Sequence, residues 1–275
     1  MAKILLKLVV GITVLCVSFS TAAQSDIVLA TKKAKLTALS EQLKIRDEND
    51  RRQAHDFARR TGIPFRRELP NGRLLELQRI APDIGPVFYI TNNVDAADTV
   101  STDEVYSGGS AGLNLDGSGM TVGEWDGGAV AEHPDYINRT NQVDEPDLVS
   151  NHSTHVAGTL VGSGLSLLPE ARGMAYAANL DAYDWNSDTA EMALAAANGL
   201  LISNHSYGIA AGWLYLGGAP PDTWWWIGGA GPTDFEDPNF GYYDSESQLW
   251  DQIAVDAPYY LIVKASGNDR SDIML

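Results

Sequence analysis

"NLDAYDWNSDTAEMALAAANGLLISNHSYG", residues 179–208, lays out a strand, a helix and a second strand in that order. NLDAYDW (179–185) and LLISNHS (200–206) are short apolar runs of strand length. Between them Asp188 and Glu191 make a cap-like pair at the head of TAEMALAAAN, and Gly199 stands where a helix would stop. Two parallel strands need such a crossover, so the stretch predicts one unit of an α/β sheet.

The same pattern continues on both sides. Upstream, MTVGEWD (120–126) reads as a strand opened by the Gly117-Ser118-Gly119 turn. Downstream, Ser245 and Gln248 open a helix that sets Trp250, Ile253, Ala254 and Ala257 on one face. YLIVKAS (260–266) then follows, apolar on both faces as a buried parallel strand should be. The expected fold class is α/β, an open parallel sheet with helices on both faces. Residues 207–244, glycine-rich and holding Trp224-Trp225-Trp226, read as a long loop insertion.

Charge divides the chain. Of the formal net charge of −17, residues 1–85 carry 15 Lys/Arg against 9 Asp/Glu, and residues 86–275 carry 4 against 27. So acidic a surface repels nucleic acid and anionic membrane, and neither is expected as a partner. Residues 1–23 have a basic start, an apolar run from Leu8 to Phe19 and Ala22-Ala23 before Gln24. That is the pattern of a signal peptide, and the run is shorter than the ~20 residues of a membrane span. A secreted or periplasmic protein with no stable membrane span is therefore expected. Cys16 lies inside the run, so the mature chain must hold together without disulfides.

Residues 24–105 form an N-terminal region that is net basic as far as residue 85. Leu36, Leu39, Leu43 and Ile45 give a rough stripe, read as one or two solvated helices, and GRLLELQ and GPVFYITNN read as two short strands. This small α+β region suits a propeptide that complements an acidic domain at 106–275, or an N-terminal interaction helix.

In an open α/β sheet, sites form beyond the carboxyl ends of the strands. Asp126 ends the first strand, Ser206 the third, and Asn268 follows the fourth. NHSTHVAGTL (151–160) adds His152 and His155. An Asp–His pair orients an imidazole for proton transfer, and an Asn amide can stabilise an oxyanion. Taken singly, the aspartate is equally a loop cap, Asn268 a turn residue, and the two histidines a pair of zinc ligands.

Five ordered segments, LDGSGMTVGEWDGG, NHSTHVAGTL, ARGMAYAANLDAYD, LISNHSYG and VKASGND, span residues 115–269. Together they resemble the subtilisin-like serine peptidases, whose histidine segment reads H-G-T-H-V-A-G-T. The resemblance implies that Asp126 is the triad aspartate, His152 the general base and Asn268 the oxyanion donor. It makes His155 a structural residue at the site, and Ser206-Tyr207-Gly208 the strand edge that binds an extended protein or peptide substrate. No metal or other cofactor is required. Structural calcium fits the family and the acidic surplus, but no D-x-[DN]-x-[DN]-G loop occurs to name its ligands.

Three departures stand out. Ser153 replaces a family glycine and would be strained if that backbone needs positive φ. Gly127-Gly128 follow the aspartate, and the large Trp125 precedes it. A greater departure is the nucleophile, since nothing in the chain matches the family's G-T-S-M-A-x-P turn and SGGSAG (107–112) lacks the pattern. The resemblance thus predicts a secreted serine endopeptidase, C-terminally truncated before its nucleophilic serine. Residues 106–275 would be the N-terminal part of a subtilisin-like domain, with an incomplete sheet, and inactive alone. The propeptide would be its intramolecular partner. The alternative is a non-catalytic exported binding protein that uses the acidic face and Trp224–Trp226.

Overall fold

The computed structural model describes residues 30–68, 74–82, 85–91, 102–164, 172–215, 224–228 and 237–268. The signal-peptide reading lies outside the described residues. Five strands make the main sheet: β4 (Thr121–Asp126), β5 (Thr140–Gln142), β6 (Asn179–Asp184), β7 (Ile202–His205) and β11 (Leu261–Lys264). Their order is β11-β7-β4-β6-β5 and every pairing is parallel. Helix α2 (Asn151–Val161) covers one face, where Ala157 and Val161 pack with Val122, Leu180 and Ala182. Helices α3 (Asp188–Ala197) and α4 (Ser245–Asp256) cover the other, where Met192, Ala193 and Ile253 pack with Trp125 and Tyr183. The fold is the expected α/β sheet with helices on both faces.

Trp125 fits because its neighbour has no side chain. A Cβ at Gly123 would stand 2.7 Å from both the Trp125 ring and Leu200. The indole lies flat between Tyr183 and His205, with ring centroids 4.1 and 5.2 Å away. A large ring before the aspartate is thus accommodated on the opposite face from Asp126.

Two readings of these elements need correction. β11 is not buried: Leu261 and Val263 are 59% and 44% exposed, because among the described residues β11 pairs only with β7. At the head of α3, Asp188 and Glu191 do not form a capping pair. Ser187 is the N-cap, without a side-chain cap bond, and it holds a left-handed backbone at φ 65°.

The N-terminal region builds a second layer. Helix α1 (Lys33–Thr61) is one helix of 29 residues, closed by a left-handed Gly62. It is followed by β1 (Arg66–Glu68), β2 (Leu74–Ala81) and β3 (Gly85–Thr91). The helix is not a solvated one. Leu36 joins the core under α3 and α4, and Leu43 is also buried, while Ala54 and Ala58 pack on Leu75, Leu77 and Phe88 of the second sheet. That sheet is antiparallel, ordered β1-β2-β3-β8, and its last strand β8 (Tyr207–Ala210) comes from the acidic part. The described residues of 207–244, a stretch read as a loop, therefore carry three strands: β8 and the antiparallel pair β9 (Trp213–Tyr215) and β10 (Trp224–Trp226).

The two parts meet through opposite charges. Lys32 and Lys35 bond Asp256, Arg46 bonds Glu246, Arg51 reaches Asp147, and Arg79 bonds Asp244. Asp256 and Glu246 are buried and the Arg79–Asp244 pair nearly so, so most of the Coulomb gain offsets the desolvation of the charges. They steer and orient the two parts, while apolar burial of Leu36, Leu43 and Ala54 supplies most of the adhesion.

Candidate active site

The alternation of a strand decides what Asp126 can touch. Val122, Glu124 and Asp126 share the face of β4 turned to α2. Asp126 ends the strand and is fully buried. Helix α2 starts beside it because Ser150, in extended backbone, accepts a bond from the Ser153 N–H at 3.2 Å. That cap fixes His152 in the first turn, with Nδ1 2.8 and 3.0 Å from the Asp126 carboxylate oxygens. The carboxylate neighbour assigns the proton to Nδ1 and leaves a lone pair on Nε2. Among the described residues, Nε2 is buried and has no hydrogen-bond partner.

Two further donors and one glycine hold this pair. The Gly127 N–H donates to Asp126 Oδ1 at 2.6 Å, and Ser153 Oγ donates to the same oxygen at 3.3 Å. Ser153 takes helical backbone without positive φ, so the strain conditionally expected of a serine there does not arise. Gly128 has φ 130°, and a Cβ on it would lie 2.7 Å from the Leu148 carbonyl. Its absence lets Ala129 bond the Leu148–Ser150 segment that caps α2. The glycines after the aspartate thus tie the end of β4 to the start of the histidine helix.

The remaining candidates lie at the same carboxyl edge or near it. Ser206 follows β7, and Tyr207 and Gly208 begin β8. Asn268 follows β11 after a left-handed Gly267 at φ 105° and is exposed. His155 is exposed on α2, one turn beyond His152. Among the described residues no three His, Cys, Asp or Glu side chains gather as a metal site.

A statistical model of the Subtilase family, Peptidase S8, matches residues 94–274. The chain belongs to the subtilase family. No curated protein matches it. Membership makes the chain a serine-type peptidase in general kind, and the Asp126–His152 centre lies within the matched residues.

In this subtilase the N-terminal region closes over that centre. Arg66 of β1 donates to the Gly127 carbonyl at 2.7 Å and pairs with Glu76 of β2. A cleft of about 430 Å³ beside His152 is lined by Arg66, Arg67 and Glu68 together with Leu148–His152. β3 lies antiparallel on β8, with Ile90 opposite Gly208 and Thr91 opposite Tyr207.

Sequence reading missed several residues here. Glu124 is fully buried on the Asp126 side, and both its oxygens lack a partner among the described residues. Burial, and then the charge of Asp126, push its carboxyl well above the usual range, so it is neutral. The period-two pattern of β4 could have found it. On the opposite face, Tyr260 donates to Ser203 Oγ at 2.7 Å, and Ser203 to His205 Nε2 at 2.9 Å. His205 Nδ1 then bonds the Tyr207 hydroxyl at 3.1 Å, which donates to Asp188 at 2.6 Å. No local sequence signal announces that chain.

Proposed function

We propose that this subtilase is an exported serine endopeptidase. The observation that carries the reading is His152: Nδ1 is held by Asp126 and Nε2 is left unbonded at the carboxyl edge of the sheet. An extended protein segment adds to β8 by backbone hydrogen bonds. His152 Nε2 takes the proton of a serine hydroxyl as its oxygen attacks the scissile carbonyl, and Asp126 stabilises the imidazolium that forms. The Asn268 amide donates to the tetrahedral oxyanion, and His152 returns the proton to the leaving amine. The chemistry needs no cofactor.

The serine is supplied from outside residues 1–275, which have no segment of the family's nucleophile type. The basic N-terminal region is a propeptide. Its ion pairs to the acidic part, its strand on β8 and its Arg66 beside Asp126 support that role. A fluorophosphonate probe on the natural full-length product tests the reading. One serine beyond residue 275 should label, phenylmethylsulfonyl fluoride should block it, and residues 1–275 alone should not label. Labelling of a serine within 1–275, or none in the full product, overturns it and favours a binding protein on this scaffold.

A further inference from the structure

Strand β3 does more than cover β8, because its alternate side chains go to different places. Phe88, opposite Ala210, enters the core that the N-terminal region makes with α1. Tyr89, opposite Ile209, turns the other way and is only 7% exposed. The rings around it belong to the acidic part. Tyr207 lies 5.0 Å away between centroids, and Trp185 meets it edge-on at 5.8 Å. The Tyr89 hydroxyl points at Asp188 Oδ2, 3.4 Å distant. Lys264, whose stem sits on the exposed edge strand, brings Nζ to 3.4 Å from the Tyr207 ring centroid and 5.6 Å from that of Tyr89.

The slot is built independently of its occupant. Asp188 is buried, with Oδ1 on the Thr189 N–H and Oδ2 on the Tyr207 hydroxyl. Tyr207 is fixed in turn by the relay from Tyr260 through Ser203 and His205. All of these residues remain when β3 leaves. Ser187, the one non-glycine residue at positive φ among those described, sets the start of α3 so that Asp188 turns inward. A left-handed serine is strained, and backbone strain of that kind collects at ligand clamps.

We infer that this slot is a specificity pocket: it takes a tyrosine side chain from an extended polypeptide laid along β8, and Asp188 selects the hydroxyl. The inference rests on the proposed role of β8 in binding peptides. Phenylalanine fills the same space but leaves the second acceptor direction of Asp188 unpaired. Alanine leaves a void between Trp185 and Tyr207. Acidic side chains meet the charge of Asp188, and basic ones meet Lys264. A hydrogen bond to a buried carboxylate that is long and shared corresponds to about a tenfold preference for tyrosine over phenylalanine, and loss of the ring to about a hundredfold or more.

Hydrogen exchange of the β3 amides in the full 275-residue chain gives the first test. Tyr89→Phe should speed exchange about tenfold and Tyr89→Ala at least a hundredfold. In an Asp188→Asn background the Tyr-to-Phe difference should shrink to threefold or less. Unchanged exchange in Tyr89→Ala overturns the pocket. The second test adds blocked, fluorescent peptides of the β3 sequence GPVFYIT, with Tyr, Phe or Ala at the Tyr89 position, to the Tyr89→Ala chain. Binding in the order Tyr, Phe, Ala with those ratios supports the inference, and Tyr within twofold of Phe overturns hydroxyl selection. If β3 is shown open by exchange and no peptide binds, the peptide-binding role of β8 fails, and the pocket with it.

Discussion

The two faces of β4 give opposite surroundings to a buried imidazole. On one, His152 has a carboxylate on Nδ1 and no partner for Nε2, beside a neutral Glu124 with neither oxygen bonded among the described residues. On the other, His205 has both nitrogens bonded, and the relay from Tyr260 ends on an Asp188 carboxylate that accepts two phenols and an amide. Burial, and then Lys264, push the His205 imidazole well below its usual range, so it stays neutral. The difference separates two uses of polar groups in one core. A saturated network specifies shape and resists change, whereas an unsaturated one costs stability and keeps a lone pair for chemistry.

The largest effect follows for His152. In the natural full-length product, His152→Ala should lower kcat by about 10⁴–10⁶ with KM little changed. The urea midpoint should move less than in His205→Ala, since Nε2 bonds nothing and Asp126 keeps the Gly127 and Ser153 donors. His205→Ala should do the reverse. It removes a ring stacked on Trp125, and leaves the Ser203 hydroxyl and the Tyr207 oxygen each short of a partner. A loss of about 3 kcal/mol in urea unfolding is expected. Equal destabilisation by both variants would erase the distinction between the faces.

The pH dependence sharpens the contrast next. Burial raises Asp184, at the end of β6, and Glu246, at the head of α4, to about 7. A carboxyl whose folded pKa is raised binds its proton more tightly in the folded chain. Its contribution is fully present below the unfolded value and is lost as pH rises toward 7. Between about pH 5 and pH 7 the thermal midpoint should therefore fall, by the equivalent of roughly 2 kcal/mol. Asp184→Asn together with Glu246→Gln should flatten the curve. A midpoint that rises across this window would contradict the burial of these groups.

What the sequence revealed, and what it hid, follows the same division. β4, β6, α3 and β7 were legible because each is a local pattern: an apolar run, a helical period, a closing glycine. Asp126 and His152 were legible through the order of five segments, and the structure brings them together. The exposure of β11 was hidden because the pairing of an edge strand is not written in its own residues. The α1 burial was hidden because its contact face splits into Leu36 and Leu43 at one end and the small Ala54 and Ala58 at the other. Asp188 read as a helix cap because its side-chain partners, Tyr207 and Tyr89, lie 19 and 99 residues away in the chain.

Ser153 is the finest test, since it would be strained at positive φ and instead sits in helical backbone among the donors of the Asp126 carboxylate. Asp126 Oδ1 accepts the Gly127 N–H at 2.6 Å and His152 Nδ1 at 2.8 Å before it accepts Ser153 Oγ at 3.3 Å. The serine is the weakest of three donors, and Ser153→Ala leaves the other two and the helical backbone in place. Alanine also favours the helix, by a few tenths of a kcal/mol, so stability should hold within about 0.5 kcal/mol. With the charge of Asp126 less well held, kcat should fall about three- to tenfold at unchanged KM, the equivalent of about 1 kcal/mol. Ser153→Gly should lower kcat equally and cost a further ~1 kcal/mol in unfolding from the helix interior. Rates in the full-length product and urea midpoints separate the two quantities. An alanine variant with unchanged kcat would make Ser153 a helix residue only, and would leave Gly127 and His152 as the donors that hold the aspartate.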